Sequence, residues 1–401
     1  VATTFVFVVV MMGTTLPSPL FDLYERTLGI SPLMVTVLYA IYAFGVVLAL
    51  VLAMPVSARL GRRPTLATAL LLSGAAAAAF LFSSNVIVLL AARVLSGLAA
   101  GAVTGTATEA LITFGGVAHR GRSAMIGIAA NMVGLALGTA VAGGVADIGY
   151  RPLQLPYIVD CGLVVVACVV LTVVPRQEAR HATATRASVR PRALVAAVAH
   201  VRAVFVRAAI SGGLGFAANG LIPTVAAVFL SRYVGISSHL LAGSLISLVF
   251  LATAFGQLLA RWKPESDTQT VGIVGLVAGL AVFASAIGLN SLILFVAATL
   301  LIGVSTGTCI GAGIAQLAEV TEPLHRPTVV TAYFVLLYLL LAVPVIGFGV
   351  LVNHTTLHVG AVFFSVLGIV VLLATLPWSR RGGASPSRSR SSISSRTKET
   401  E

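Results

Sequence analysis

Charged residues stand well inside long, mainly apolar runs, among them Asp22, Arg93, Glu109 and Asp160. A carboxylate in such a place can take up and release a proton, and a guanidinium can hold a polar or anionic group. Arg93 lies about 12 Å along its run, counted from Asn85 at ~1.5 Å per helical residue. Facing lipid there would cost at least ~2.5–3.5 kcal/mol, so Arg93 is expected to face the protein interior. It is either a cavity cation that binds substrate or tunes a proton site, or a structural charge that clamps helices through backbone carbonyls. Asp22 pairs with Arg93 if their helix faces meet. Uncharged polar residues in the other runs are Tyr42, Asn131, Asn219, Gln257, Gln316, Tyr333 and Tyr338. Each either lines a cavity or bonds between helices, which is worth only ~0.6 kcal/mol on average. Asn219 stands out because Gly220 and Pro223 follow it and loosen local backbone bonding.

Other chemistries lack their residues. The seven histidines lie in loops or near run ends, with no H-E-x-x-H pattern. A phosphate-binding G-x-x-x-x-G-K-[ST] loop is missing, which argues against an ATP-driven pump. Cys161, Cys168 and Cys309 all fall in apolar runs and read as packing residues. No metal or cofactor is expected, and a membrane-embedded enzyme is a distant alternative.

The elements that must hold these residues follow from composition. The chain is 58% hydrophobic and 9% charged, against about 25% charged in soluble domains. Its solvent is largely lipid. Twelve runs are long enough to cross a bilayer as helices: 4–23, 32–54, 65–83, 86–111, 123–145, 155–175, 204–230, 239–260, 270–289, 292–316, 328–352 and 356–377. They are too long and too continuously apolar for barrel strands. The first lacks the basic start and small-residue cleavage site of a signal peptide.

The net charge of +13 is distributed by topology rather than gathered for nucleic acid. All but four of the 25 Lys and Arg residues fall in the loops and tail on one side, the exceptions being Arg26, Arg93, Arg151 and Arg232. The positive-inside rule then puts both termini in the cytoplasm.

The chain also repeats itself. Gly29-Ile30-Ser31 matches Gly235-Ile236-Ser237, and His119-Arg120 matches His325-Arg326, at one offset of 206 residues. Pro17 and Pro223 keep the same offset, as do Gly97, Gly101 and Gly105 with Gly303, Gly307 and Gly311. Six spans per unit return the chain to its starting side, so the halves are parallel repeats, an arrangement of transporters with a midplane site between halves. The expected fold is an all-α polytopic membrane protein of 12 transmembrane helices in two parallel six-helix pseudo-repeats. The expected divisions are a bundle over 1–175, a basic cytoplasmic linker over 176–203, a second bundle over 204–378 and a disordered tail over 379–401. The linker is expected to carry an interfacial amphipathic helix near 192–203.

Three stretches carry a resemblance to the major facilitator superfamily. The loop Ala58-Arg59-Leu60-Gly61-Arg62-Arg63-Pro64 resembles its D-R-x-G-R-R signature, with Ala58 in place of the Asp and Met54 in place of the leading Gly. Ala91-Ala92-Arg93-Val94-Leu95-Ser96-Gly97 resembles its R-x-x-x-G segment. Gly134-Leu135-Ala136-Leu137-Gly138-Thr139-Ala140-Val141-Ala142-Gly143 resembles the fifth-span signature of the drug/proton antiporter branch, with Thr139 in place of Pro. The resemblance implies a gating loop of Arg59, Gly61, Arg62 and Arg63, with Glu109 pairing Arg62 or Arg63. It implies a helix-packing motif of Gly134, Gly138, Thr139 and Gly143. Asp160 falls on a helix that is peripheral in the family and is expected to be an interfacial structural residue. The expected activity is alternating-access efflux of small hydrophobic compounds, coupled to protons, by a functional monomer in the bilayer of a bacterial inner membrane. A sugar or metabolite symporter or uniporter of the same fold is the alternative.

Overall fold

The computed structural model describes residues 2–114, 120–173, 198–199, 201–262, 267–322 and 325–376, with only the backbone described for 52–60, 62, 105–114, 120–124, 262, 267 and 327. The described residues form helices and turns without a strand. A backbone in lipid must satisfy its own hydrogen bonds, and a helix does so within one segment.

The helices are α1 (Ala2–Thr15), α2 (Phe21–Leu28), α3 (Pro32–Leu60), α4 (Arg62–Leu81), α5 (Val86–Phe114), α6 (Arg120–Asp147), α7 (Leu155–Thr172), α8 (Arg202–Phe229), α9 (His239–Trp262), α10 (Asp267–Gly288), α11 (Leu292–Val320), α12 (Arg326–His354) and α13 (Leu357–Thr375). They make 12 spans, α1 and α2 together forming the first, Ala2–Leu28. The expected linker and tail lie almost wholly outside the described residues.

The first span is broken where a continuous run over 4–23 was expected. Pro17 and Pro19 carry no N–H, so the carbonyls of Gly13 and Thr15 lose their helical donors. The chain passes through a short 3-10 turn, Ser18–Leu20, before α2 resumes. Its pseudo-equivalent α8 meets only Pro223 and stays helical through Phe229. Both segments end on a left-handed glycine, Gly29 at φ +63° and Gly235 at φ +78°, a conformation that costs glycine little. The Gly-Ile-Ser repeat is therefore a repeated helix stop.

The glycine rows are repeated helix contacts. A Cβ on Gly101 would meet Ala49 at 2.5 Å and the Val46 carbonyl at 2.8 Å, and one on Gly303 would meet Ala252 at 2.6 Å and the Val249 carbonyl at 2.8 Å. Small residues thus bring α5 onto α3 and α11 onto α9.

The core differs between the two ends of the molecule. One buried cluster runs through both bundles, joining Leu16, Tyr24 and Leu38 to Ala142, Phe229 and Ile246. Toward the opposite end the cores are separate: Phe7, Leu66, Leu70 and Val103 in the first bundle, and Phe205, Ile310, Val329 and Tyr333 in the second. At the end bearing α2 the bundles share a buried core; toward the other, the buried residues of each cluster come from one bundle among the described residues, with Tyr338 packed against the first. Outward-facing apolar side chains such as Leu71, Ile87 and Ile293 are exposed, as lipid contact allows.

Candidate functional site

Arg93 is 1% exposed, within the first bundle. Its Nε donates to the Leu38 carbonyl of α3 at 2.8 Å, and its Nη1 donates to the Thr14 carbonyl of α1 at 2.7 Å. The rings of Tyr42, Tyr39 and Phe21 surround the guanidinium, with centroids 5.0, 5.8 and 5.9 Å away. Asp22 binds Arg26 at 3.0 Å, so the expected Asp22–Arg93 pair is replaced by two carbonyls and an aromatic cage. The geometry is that of a clamp through carbonyls: Arg93 ties α3 and α5 to the break in the first span, with Tyr42 over its guanidinium.

Tyr42 leads from that cage to the other bundle. Its ring meets Tyr338 of α12 edge-on at 6.5 Å, and Tyr338 meets Phe216 of α8 at 5.2 Å. All three rings are half-buried. Nearby, Tyr39 lies over Gly220, where an added Cβ would come within 3.1 Å of its ring. This aromatic junction between α3, α8 and α12 is the candidate substrate site.

The remaining candidates divide. Asn131 is half-buried with an unpartnered buried Oδ1. Asn219 is buried; its Nδ2 donates to Thr253 Oγ1 at 2.8 Å and its Oδ1 has no partner. Gln257 is buried along the α9–α11 contact, its backbone close to Gly307. Tyr333 does not reach the junction: it is 0% exposed in the core of the second bundle, stacked edge-on with Phe205. In the loop Arg59-Leu60-Gly61-Arg62-Arg63, Gly61 takes φ +83° and lets α3 turn straight into α4, and Arg63 is half-buried. The side chains of Arg59, Arg62 and Glu109 lie outside the described residues.

The fifth-span glycines serve two neighbours. Gly134 and Gly138 admit α1, facing the carbonyls of Val8 and Met12. Thr139 and Gly143 instead face α9 of the other bundle. Thr139 Oγ1 lies 2.8 Å from Ser247 Oγ, which donates to the Ala136 carbonyl at 2.7 Å. Gly143 packs on the His239 carbonyl and Gly243 on the Thr139 carbonyl. Where Pro was absent, a hydroxyl contact has taken its place. Gly243→Val is expected to destabilise the protein by about 1–3 kcal/mol through overpacking, read as a lower melting temperature in detergent. An unchanged melting temperature would show that the crossing has slack.

At the joined end, Asp147 closes α6 and reaches across to α9. It accepts from Ser238 Oγ at 2.7 Å, His239 N at 2.8 Å and Leu240 N at 3.1 Å, and its Oδ1 lies 3.1 Å from His239 Nδ1. A carboxylate on the first N–H groups of a helix is a favourable N-terminal interaction. Here cap and helix belong to different bundles. Arg232 and Glu25 add an exposed ion pair across the same end at 2.8 Å.

The sequence from residue 3 to 343 matches the family model described as Major Facilitator Superfamily. The chain belongs to this superfamily. No curated protein matches it. Similar solved structures include a D-xylose-proton symporter (15% identity, TM-score 0.77, covering 94% of this chain and 96% of that one). A mutant of the nucleoside transporter NupG is similar at 13% identity and TM-score 0.74, covering 94% and 98% of the two chains. The xylose transporter XylE from E. coli in an inward-open conformation is similar at 15% identity and TM-score 0.73, covering 93% and 94%. At these identities the likeness is one of fold. Membership of the superfamily, with its 12 apolar spans among the described residues, makes this chain a multi-pass membrane protein of the transporter class.

Sequence reasoning passed over several of these residues. Asp147, Ser238 and Ser247 carried no signal beyond Ser238 preceding a helix start. It also missed one motif: Gly303-Val304-Ser305-Thr306-Gly307 spells G-x-S-x-G. In an esterase that pattern sits on a strained strand-to-helix turn. Here it lies within α11, where Ser305 is 6% exposed and Gly303 and Gly307 pack on α9, so the match is a helix contact.

Proposed function

We propose that this superfamily member exports small hydrophobic compounds in exchange for protons. Residues 1–175 rock against 204–378 about the junction of Tyr39, Tyr42, Phe216 and Tyr338. The observation that carries the reading is the split role of the fifth-span stretch. Gly134 and Gly138 fix α6 to its own bundle, while Thr139 and Gly143 form a close small-residue contact with α9, held by a hydroxyl pair rather than by interlocked bulky side chains. Such a contact suits a surface that must slide or part. The aromatic walls of the junction, with one guanidinium behind them, suit apolar or weakly polar compounds. The basic loops favour cytoplasmic termini in a bacterial inner membrane, which turns the end bearing α2 outward. The protein is read as a monomer.

A second reading is a sugar or metabolite symporter or uniporter. It is favoured by the unpartnered buried oxygens of Asn131 and Asn219, which a hydroxylated substrate could satisfy.

Transport by purified protein in liposomes under an imposed pH gradient separates these readings, with fluorescent cationic and neutral drugs offered beside labelled sugars. Gradient-dependent drug movement is expected. Sugar or metabolite movement without drug movement would replace efflux by the second reading.

A further inference from the structure

Among the described carboxylates within the spans, Asp22 and Glu25 each hold an arginine, Asp147 holds the start of α9, and Glu319 is exposed. Asp160 on α7 differs from all of them. It is 1% exposed, and its Oδ1 has no hydrogen-bond partner. No lysine or arginine forms a salt bridge with it among the described residues. The sequence led to an interfacial structural residue; the fold puts it inside the first bundle, between α1 and α4. A Cβ on Gly13 of α1 would lie 2.8 Å from Asp160 Oδ2 and 3.1 Å from Ser73 Oγ of α4. An ionised carboxylate buried without a cation carries a desolvation cost that one proton removes.

Asp160 is also joined to the candidate substrate site. Gly13 precedes Thr14, whose carbonyl receives Arg93; Arg93 lies under Tyr42, and Tyr42 meets Tyr338 across the bundles. The titratable groups around Asp160 are Tyr157 and Cys161 of its own helix, both within electrostatic reach. Tyr24 of α2 is hydrogen-bonded to Tyr157 at 3.0 Å, and Arg93 of α5 lies beyond that ring. The facing residues of α1 and α4 are Gly13 and Ser73, which carry no charge.

We propose that Asp160, seated between Gly13 and Ser73 beside the break in the first span, is the residue that takes up and releases the coupling proton. The inference rests on the proton-coupled reading above and names its carrier. In the protonated state the acid sits uncharged against the turn of α1 at Gly13, where Pro17 has removed one helical donor and the backbone is less firmly held. In the ionised state the same seat must hold a buried charge, which disfavours the close approach of α1 and α4. The two states thus pull differently on the turn of α1 that Arg93 links to Tyr42. The step is a proton transfer alone: the O–H bond of the acid forms or breaks, with water as the other partner.

Infrared difference spectra of the full-length protein in lipid, recorded between acidic and alkaline buffers, test this without a known substrate. The wild type is expected to show a protonated-carboxyl C=O stretch that titrates. The band is lost in Asp160→Asn and returns displaced in Asp160→Glu. Gly13→Ala, which crowds Oδ2 but leaves the acid in place, shifts the band and judges the proposal even where Asp160→Asn does not fold. A titrating band that survives in Asp160→Asn and is unmoved in Gly13→Ala overturns it, as does gradient-driven transport that Asp160→Asn leaves intact. A wild type that moves none of the offered compounds counts against the efflux reading, while the spectra still decide the assignment of the proton.

Discussion

Arg93→Ala is expected to destabilise the protein by about 3 kcal/mol, from the loss of two charge-assisted hydrogen bonds in a buried site. The guanidinium bonds α1 and α3 at once, through the carbonyls of Thr14 and Leu38, and its removal leaves both acceptors in an apolar core. The first span is already interrupted after Thr15, so it depends on that support more than an intact helix would. Arg93→Lys keeps the charge but offers a compact ammonium in place of a planar fork, and should recover only part of the loss. Thermal melting in detergent, compared across wild type, Arg93→Lys and Arg93→Ala, reads the effect. Three equal melting temperatures would mean that Arg93 is not a structural clamp, and its place behind Tyr42 would become its whole role.

Asp147→Ala is expected to open the joined end of the molecule. Loss of an N-terminal capping carboxylate costs about 1–2 kcal/mol, and here the bonds broken run between bundles, so the cost falls on the closed arrangement. A difference near 1.4 kcal/mol shifts the ratio of closed to open forms about tenfold. The reporter is Ser247→Cys, at the α6–α9 crossing, in a chain whose Cys161, Cys168 and Cys309 are replaced by serine. Labelling by a membrane-impermeant maleimide from the side bearing that end should run about tenfold faster with Asp147→Ala than with Asp147 present. Comparing the two backgrounds cancels any effect of the reporter itself. Equal rates would show that the small-residue crossing holds this end closed without the cap.

The same two residues show how far sequence reading reached. Arg93 was visible because a charge in a long apolar run has a cost that must be offset, and its burial followed. Its partners were not visible, since whether Asp22 or a carbonyl lies opposite depends on how α1, α3 and α5 are rotated about their axes. Asp147 was invisible because an acid at a helix end is ordinary until something is placed against it. Its partners lie more than 90 residues away.

What the sequence determined by itself was the lipid solvent, the twelve spans, the parallel repeat and the family resemblance. Each rests on composition, run length or recurrence along the chain, which need no knowledge of neighbours. The tertiary structure decided which polar groups have partners. It put Tyr333 into a core, Tyr338 into the junction, Thr139 against Ser247, and Asp160 in a seat with no salt bridge among the described residues. In a membrane every face of a helix is apolar enough to be either lipid-facing or packed. Hydrophobic pattern therefore specifies the spans but barely orients them, and the rotation of each helix is set by glycine contacts and a few hydrogen bonds formed only once the bundle is assembled.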